Sequence, residues 1–128
     1  FFELMRAIAV RDDGGNRGAM TAAATALERG AAVGVFPEGR ISADGTLRGF
    51  QVGAAVLAIR QRVPVVPVRI LGTYAALKKG ARLPRLARVT IVLGAPLRAP
   101  DCVDEPLARR ACAAEFTQTI RAAVEALS

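Results

Sequence analysis

The sequence predicts an α/β domain in which helices flank a central sheet. Short apolar runs have the length of strands, longer segments with helical spacing alternate with them, and no repeat or linker divides the chain. A chain of 128 residues fits one domain, so we expect residues 1–128 to fold as a single unit.

The first half of the chain contains two predicted helix–strand pairs. They are a helix over residues 1–7, a strand over 8–10, a helix over 20–29 and a strand over 31–36. The second strand is apolar without polar alternation, which is typical of a strand buried on both faces. Pro37 cannot continue a ladder of hydrogen bonds, so we expect a loop over residues 37–46.

The second half contains three predicted helices and two strands. They are a helix over residues 50–62, a strand over 63–71, a short helix over 73–79, a strand over 88–93 and a final helix capped by Asp101 or Asp104. Pro64 and Pro67 interrupt the first of these strands, which favours an edge position, a bulge or an irregular extended segment. One apolar stripe indicates the buried face of the final helix: Cys112, Phe116, Ile120, Val124 and Leu127.

Composition excludes several classes of site. The chain has no histidine, so it cannot hold a Ser/His/Asp triad or a His-ligated metal, and we expect no metal and no bound cofactor. Its two cysteines, Cys102 and Cys112, are too few for a zinc site or a disulfide scaffold, and we expect free, buried thiols in a reducing compartment. The longest apolar run, residues 52–59, is far shorter than the about 20 residues of a membrane-spanning helix.

Positive charge is concentrated in the middle of the chain. Residues 33–100 carry eleven basic and two acidic side chains, within a net charge of +7. Such a surface attracts phosphorylated metabolites, anionic lipid headgroups or nucleic acid, although an Ala- and Arg-rich chain also arises from base composition. The chain has no tryptophan and one tyrosine, so stacking platforms for bases are scarce and we do not expect nucleic acid as a partner.

A Phe-Pro-Glu-Gly-Arg-Ile-Ser motif at residues 36–42 is the strongest candidate for a binding site. It follows a predicted buried strand, and α/β folds bind ligands at the carboxyl ends of their strands. Gly39 allows a ligand to approach the backbone, Arg40 offers a planar fork of donors suited to phosphate, and Glu38 is placed to brace that arginine. The alternative is a surface turn with an incidental salt bridge.

This motif closely resembles the third sequence block of the glycerolipid acyltransferases, the 1-acylglycerol-3-phosphate acyltransferases and their relatives. The block commonly reads Phe-Pro-Glu-Gly-Thr-Arg-Ser, and some relatives, including those acting on lysophosphatidylethanolamine, carry Phe-Pro-Glu-Gly-Arg-Ile as found here. Residues 63–68, Val-Pro-Val-Val-Pro-Val, resemble the fourth block. Residues 7–11 resemble the second block and residues 89–97 the closing strand, each less specifically.

The resemblance implies a mixed, partly parallel sheet of the glycerol-3-phosphate acyltransferase type. It implies transfer of an acyl chain from acyl-CoA or acyl carrier protein to the hydroxyl of a lysophospholipid or glycerol phosphate. The residues it assigns are Arg11 and Arg40 on the acceptor phosphate, Phe36, Pro37, Glu38 and Gly39 in the loop beside it, and Val66 and Pro67 on the acyl side. From the residues alone, Arg11 is equally well read as a solvated arginine paired with a neighbouring aspartate, and the two prolines as a rigid apolar wall.

In the family the catalytic base is a histidine in an Asn-His-x-x-x-x-Asp block that precedes the second block. No catalytic residue is therefore predicted within these 128 residues. We expect an N-terminally truncated fragment, inactive alone, of an enzyme that works at the inner face of the plasma membrane in contact with anionic lipid. The alternatives are a relative that binds lipid or acyl carrier protein without catalysis, and, from charge alone, a nucleic-acid-binding domain.

Overall fold

The computed structural model describes residues 8, 17–40, 42, 45–76 and 86–128. The chain divides into two units, Phe1–Val35 and Phe36–Ser128. The predicted helix over residues 1–7 lies outside the described residues, as does the predicted strand over 8–10 apart from Ile8. The expectation of one domain over residues 1–128 stays a prediction.

The first unit contains helix α1, Arg17–Glu28, which confirms the predicted helix and begins three residues earlier. Gly30 ends it as predicted, with a φ of +78° and its N–H donating to the Leu27 carbonyl at 2.9 Å. The predicted strand over residues 31–36 is wrong, because this segment has no strand partner in the described part of the chain. Apolar composition makes a segment suitable for a buried strand but does not supply the neighbouring strand that its backbone needs.

The second unit contains the remaining regular elements. They are α2 (Gly53–Gln61), β1 (Val68–Leu71), α3 (Thr73–Ala76), β2 (Thr90–Leu93) and α4 (Pro106–Glu125). Each corresponds to a predicted element, although most are shorter, and residues 77–79 of the predicted third helix lie outside the described residues. Among the described residues, β1 and β2 form a two-stranded antiparallel sheet in which Val68 is opposite Leu93. The mixed, partly parallel sheet is therefore not confirmed.

The two prolines explain why β1 is shorter than the predicted strand. Proline has no N–H to donate, so pairing is restricted to the residues between and after the two rings. Val65 forms an isolated bridge with Leu97, and the Pro67 carbonyl accepts the Gly94 N–H at 2.8 Å before the regular ladder begins at Val68. The expectation of an irregular extended segment is confirmed.

The core of the second unit lies where α2 packs against α4. Ala55 and Ala58 of α2 contact Phe116 and Ile120 of α4, and the small alanines leave room for the larger side chains. The predicted stripe of α4 is buried at Phe116, Ile120 and Val124. A surrounding shell of partly buried residues completes the cluster: Phe50, Ile59, Val63, Val65, Leu97 and Ala99.

The start of α4 differs from the prediction. Its N-cap is Glu105, whose carboxylate accepts the Ala108 N–H at 3.2 Å, and neither Asp101 nor Asp104 caps the helix. Pro106 explains the position, because proline is favoured at the first helical residue and so places the cap directly before it.

The prediction of free thiols is wrong. Cys102 and Cys112 form a disulfide with Cα atoms 6.1 Å apart, because the turn into α4 brings Cys102 beside the second turn of that helix.

Candidate functional site

The Phe36–Arg40 segment is a tight turn that precedes α2. The Gly39 N–H donates to the Phe36 carbonyl at 3.2 Å, and Gly39 has a φ of +68°, a conformation that other residues rarely adopt. Phe36 is 82% exposed, and Pro37 and Glu38 are half-buried. The motif therefore forms a compact loop whose backbone conformation depends on its glycine.

Two hydrogen bonds hold this loop against the segment that leads into α2. The Glu38 carboxylate accepts the backbone N–H of Arg48 at 2.9 Å, and the Pro37 carbonyl accepts the backbone N–H of Gln51 at 2.8 Å. The Gln51 side chain also lies against Gly39, since a Cβ built on that glycine would be 2.5 Å from Gln51 Nε2. Glu38 thus fixes the loop through Arg48 and makes no salt bridge with Arg40 among the described residues.

Arg40 lies exposed at the end of the turn. Its guanidinium has no hydrogen bond or ion pair with any described residue, in contrast to the guanidinium groups of Arg69, Arg109 and Arg121. Arg48 is also exposed and its side chain likewise lacks an ion pair among the described residues. The loop region thus presents two guanidinium groups that have no ion-pair partner among the described residues, and such groups favour an anionic ligand.

Sequence reasoning missed Arg48 and Gln51. Both act on the loop through their backbone N–H groups, which every residue except proline carries, so no motif marks them. Both residues contribute because the chain folds back at residues 48–51 to contact Pro37 and Glu38. This contact is visible only in the three-dimensional structure.

Val66 and Pro67, the predicted residues of the acyl side, do not belong to this loop. Val66 is exposed and Pro67 is buried, in the extended segment before β1, where Pro67 packs against Gly94. Arg11 lies outside the described residues. The structure therefore brings together Phe36, Pro37, Glu38, Gly39 and Arg40 but does not show Arg11 beside them.

The described residues contain neither a metal-binding cluster nor a membrane-spanning helix. No group of three or more histidine, cysteine, aspartate or glutamate side chains is arranged there to hold a metal ion. No helix in the described ranges is both long and apolar enough to cross a membrane.

Comparison with known proteins identifies similar sequences and folds. A family model described as Acyltransferase matches residues 1–71, which include the Phe36–Arg40 loop. A 1-acyl-sn-glycerol-3-phosphate acyltransferase of Cocos nucifera is 33% identical over 73 residues, covering 57% of this chain and 24% of the relative. The chloroplastic 1-acyl-sn-glycerol-3-phosphate acyltransferase BAT2 of Brassica napus is 42% identical over 55 residues, covering 43% of this chain and 16% of the relative.

A solved structure shares the fold. The 1-acyl-sn-glycerophosphate (LPA) acyltransferase PlsC of Thermotoga maritima has a TM-score of 0.61 and 27% identity, covering 81% of this chain and 43% of that chain. The chain spans about a quarter or less of the length of the two curated relatives described above.

Proposed function

Because this chain belongs to the acyltransferase family, we propose that the protein containing it acylates a lysophospholipid such as 1-acylglycerol 3-phosphate. The observation that carries this proposal is the exposed Arg40 guanidinium, which has no partner among the described residues and stands on a loop fixed by Glu38 and Gly39. The names of the similar proteins support the choice of a glycerolipid acceptor.

Arg40 would bind the phosphate of the acceptor. A guanidinium presents parallel N–H donors that match two phosphate oxygens, so it fixes the orientation of the headgroup as well as its position. Holding the headgroup places the free hydroxyl near the acyl donor, and such positioning lowers the barrier by several kcal/mol in favourable cases. Arg48, whose backbone N–H binds Glu38, would add positive charge to this region. Arg11 remains a proposed second ligand of the phosphate.

The reaction exchanges one acyl bond for another. The acceptor hydroxyl attacks the thioester carbonyl of acyl-CoA or of an acyl carrier protein, the new ester forms, and the thiolate leaves and takes up a proton. A base must remove the hydroxyl proton, because an alcohol is a weak nucleophile. The 128 residues contain no histidine, so we place this base outside them and expect the chain alone to be inactive.

The donor and the cellular site are part of the proposal. Both acyl-CoA and acyl carrier protein carry phosphate and would be attracted to the basic middle of the chain. Val66 and Pro67 would line the acyl side. Acceptors of this kind reside in membranes, so we propose peripheral contact with anionic lipid, with the inner face of the plasma membrane as one location.

Acyl transfer measured with labelled donor tests the function. The full-length protein should convert 1-acylglycerol 3-phosphate to the diacyl product with acyl-CoA or acyl carrier protein, and the 128-residue chain should give no product above buffer. A full-length protein that binds lysophospholipid but transfers no acyl chain with either donor would support the non-catalytic binding module and contradict the proposal.

A further inference from the structure

A groove between α2 and α4 combines apolar and cationic residues. It is an open depression of about 480 Å³ whose apolar lining comes from Val52, Val56, Ile59, Pro106 and Ala113. Three arginines complete the lining, namely Arg60, Arg109 and Arg110. No carboxylate from the described part of the chain lines the groove, although acidic residues occur nearby in the sequence.

The charge of this groove is only partly compensated. Arg109 pairs with Asp104, and the nearby Glu105 carboxylate is engaged in capping α4. Arg60 and Arg110 are exposed and have no ion pair with a described residue. Two guanidinium groups therefore remain available to an anion, next to the amino-terminal turns of α4, whose dipole favours negative charge.

Large apolar side chains are exposed at the start of α2 and at or just before the start of α4, the two helices that carry these arginines. Leu107 is 72% exposed, Val103 71% and Val52 49%. Leu107 precedes Arg110 by three residues on α4, so the two side chains are neighbours on the helix surface. Exposed apolar groups gathered next to unpaired cations indicate a binding surface.

The combination of charges and apolar groups selects one class of partner. A small soluble anion would use the arginines but not Leu107 and Val103. A single-stranded nucleic acid is typically bound by aromatic stacking, which the lining of this groove lacks, and a duplex would use only the arginines. An anionic bilayer uses both features, since its phosphates attract arginine and its hydrocarbon accepts leucine and valine. We propose that the α2–α4 surface, defined by Val52, Arg60, Val103, Leu107 and Arg110, docks on an anionic phospholipid bilayer.

This inference rests on the proposed function and deepens it, because it names the surface by which the enzyme would contact the membrane that holds its acceptor. Vesicle binding needs no acyl transfer, so the two proposals fail separately. A protein that acylates lysophospholipid without docking through this surface overturns only the inference. A protein that docks there without acyl transfer overturns only the function.

A site-specific fluorescent probe tests which surface enters the bilayer. The full-length protein, with other reactive cysteines replaced by serine, carries Leu107→Cys labelled with an environment-sensitive nitrobenzoxadiazole dye. Phosphatidylglycerol–phosphatidylcholine vesicles should increase and blue-shift its fluorescence, and pure phosphatidylcholine vesicles should do so far less. The matched control is Thr119→Cys, exposed on α4 twelve residues further on, which should respond little.

Substitution of the arginines provides the second arm. Arg60→Gln combined with Arg110→Gln should weaken partitioning to the anionic vesicles about tenfold or more, whereas Arg121→Gln should not, because Arg121 lies outside the surface and pairs with Glu125. An equal response at Thr119 and Leu107, or an unchanged partition of the double variant, would overturn the proposal. Saturable binding of an acidic protein with no response to vesicles would assign the surface to a protein partner instead.

Discussion

The Glu38 carboxylate accepts the backbone N–H of Arg48 at 2.9 Å, across ten residues of chain. Together with the 2.8 Å hydrogen bond from Gln51 to the Pro37 carbonyl, this contact fixes both ends of the loop that carries Arg40. Glu38 and Arg40 are two residues apart, yet they form no salt bridge among the described residues. The Glu38 carboxylate therefore holds the backbone of the loop that carries Arg40, and the positive charge of Arg40 remains available to a ligand.

Loss of the Glu38 carboxylate should impair use of the acceptor substrate. Glu38→Ala removes one charge-assisted hydrogen bond, which contributes about 1.5–3 kcal/mol, and lets the loop move. We expect kcat/KM for the acceptor in the full-length protein to fall about 10- to 100-fold. Glu38→Gln keeps an oxygen that can accept the Arg48 N–H, so its kcat/KM should fall less. The control is Glu115→Ala, because Glu115 is an exposed residue on α4. Equal kinetics for Glu38→Ala and Glu115→Ala would contradict the tether.

The glycine of the loop should be hard to replace. Gly39→Ala places a Cβ 2.5 Å from Gln51 Nε2 and forces alanine to a φ of +68°. We expect the free energy of unfolding in urea to fall by about 1–2 kcal/mol, mostly from backbone strain, since the glutamine side chain can move. Gly49→Ala, with no heavy atom within 4 Å of its Cβ, should be nearly neutral. Adding Gln51→Ala should restore only the steric part of the loss, and full recovery would contradict the role of strain.

Arg69 should stabilise the end of α4 and not the binding site. Its Nη1 donates to the Glu125 carbonyl at 3.0 Å and to the Leu127 carbonyl at 2.6 Å, which links β1 to the last turn of the helix. Arg69→Met should lower the free energy of unfolding by about 1.5–3 kcal/mol and leave the acceptor KM unchanged. Arg88→Met, an exposed arginine next to β2, serves as the control in chemical denaturation. A raised acceptor KM for Arg69→Met with normal stability would show that this arginine serves the site.

The disulfide should contribute measurably to stability. The Cys102–Cys112 bond links cysteines that are ten positions apart, and cross-linking a loop of this size stabilises by about 3 kcal/mol in the chain-entropy description. Dithiothreitol should lower the melting temperature of the wild type to that of Cys102→Ser combined with Cys112→Ser, and should not affect the double variant. Two titratable thiols in the folded protein without reductant would refute the pairing.

Local signals in the sequence were sufficient for the helices and for the site motif. The alanine-rich run before Gly30 predicted α1, and the spacing of Val52, Val56 and Ile59 predicted α2. The Pro-Glu-Gly-Arg order predicted a loop in which Arg40 offers its donors to a ligand. In each case the information lies within a few residues, because helix periodicity and turn chemistry are local properties.

Features that depend on distant contacts could not be predicted. Residues 31–36 have the composition of a buried strand but lack a partner in the described part of the chain, and Glu38 was expected to brace Arg40 rather than bind Arg48. The pairing of Cys102 with Cys112 depends on where Pro106 starts α4. The missing strand, the partner of Glu38 and the disulfide each depend on how separate segments of the chain pack together, which local sequence patterns do not specify.

The acceptor KM of an Arg40→Gln variant tests the central claim most directly. In the full-length protein, replacing the guanidinium by a neutral amide should raise the KM for 1-acylglycerol 3-phosphate about tenfold or more, since a charge-assisted contact to phosphate is lost. The donor KM should stay unchanged, and Arg121→Gln should leave both values as in the wild type. An acceptor KM for Arg40→Gln equal to that of the wild type would contradict the assignment of this arginine to the phosphate.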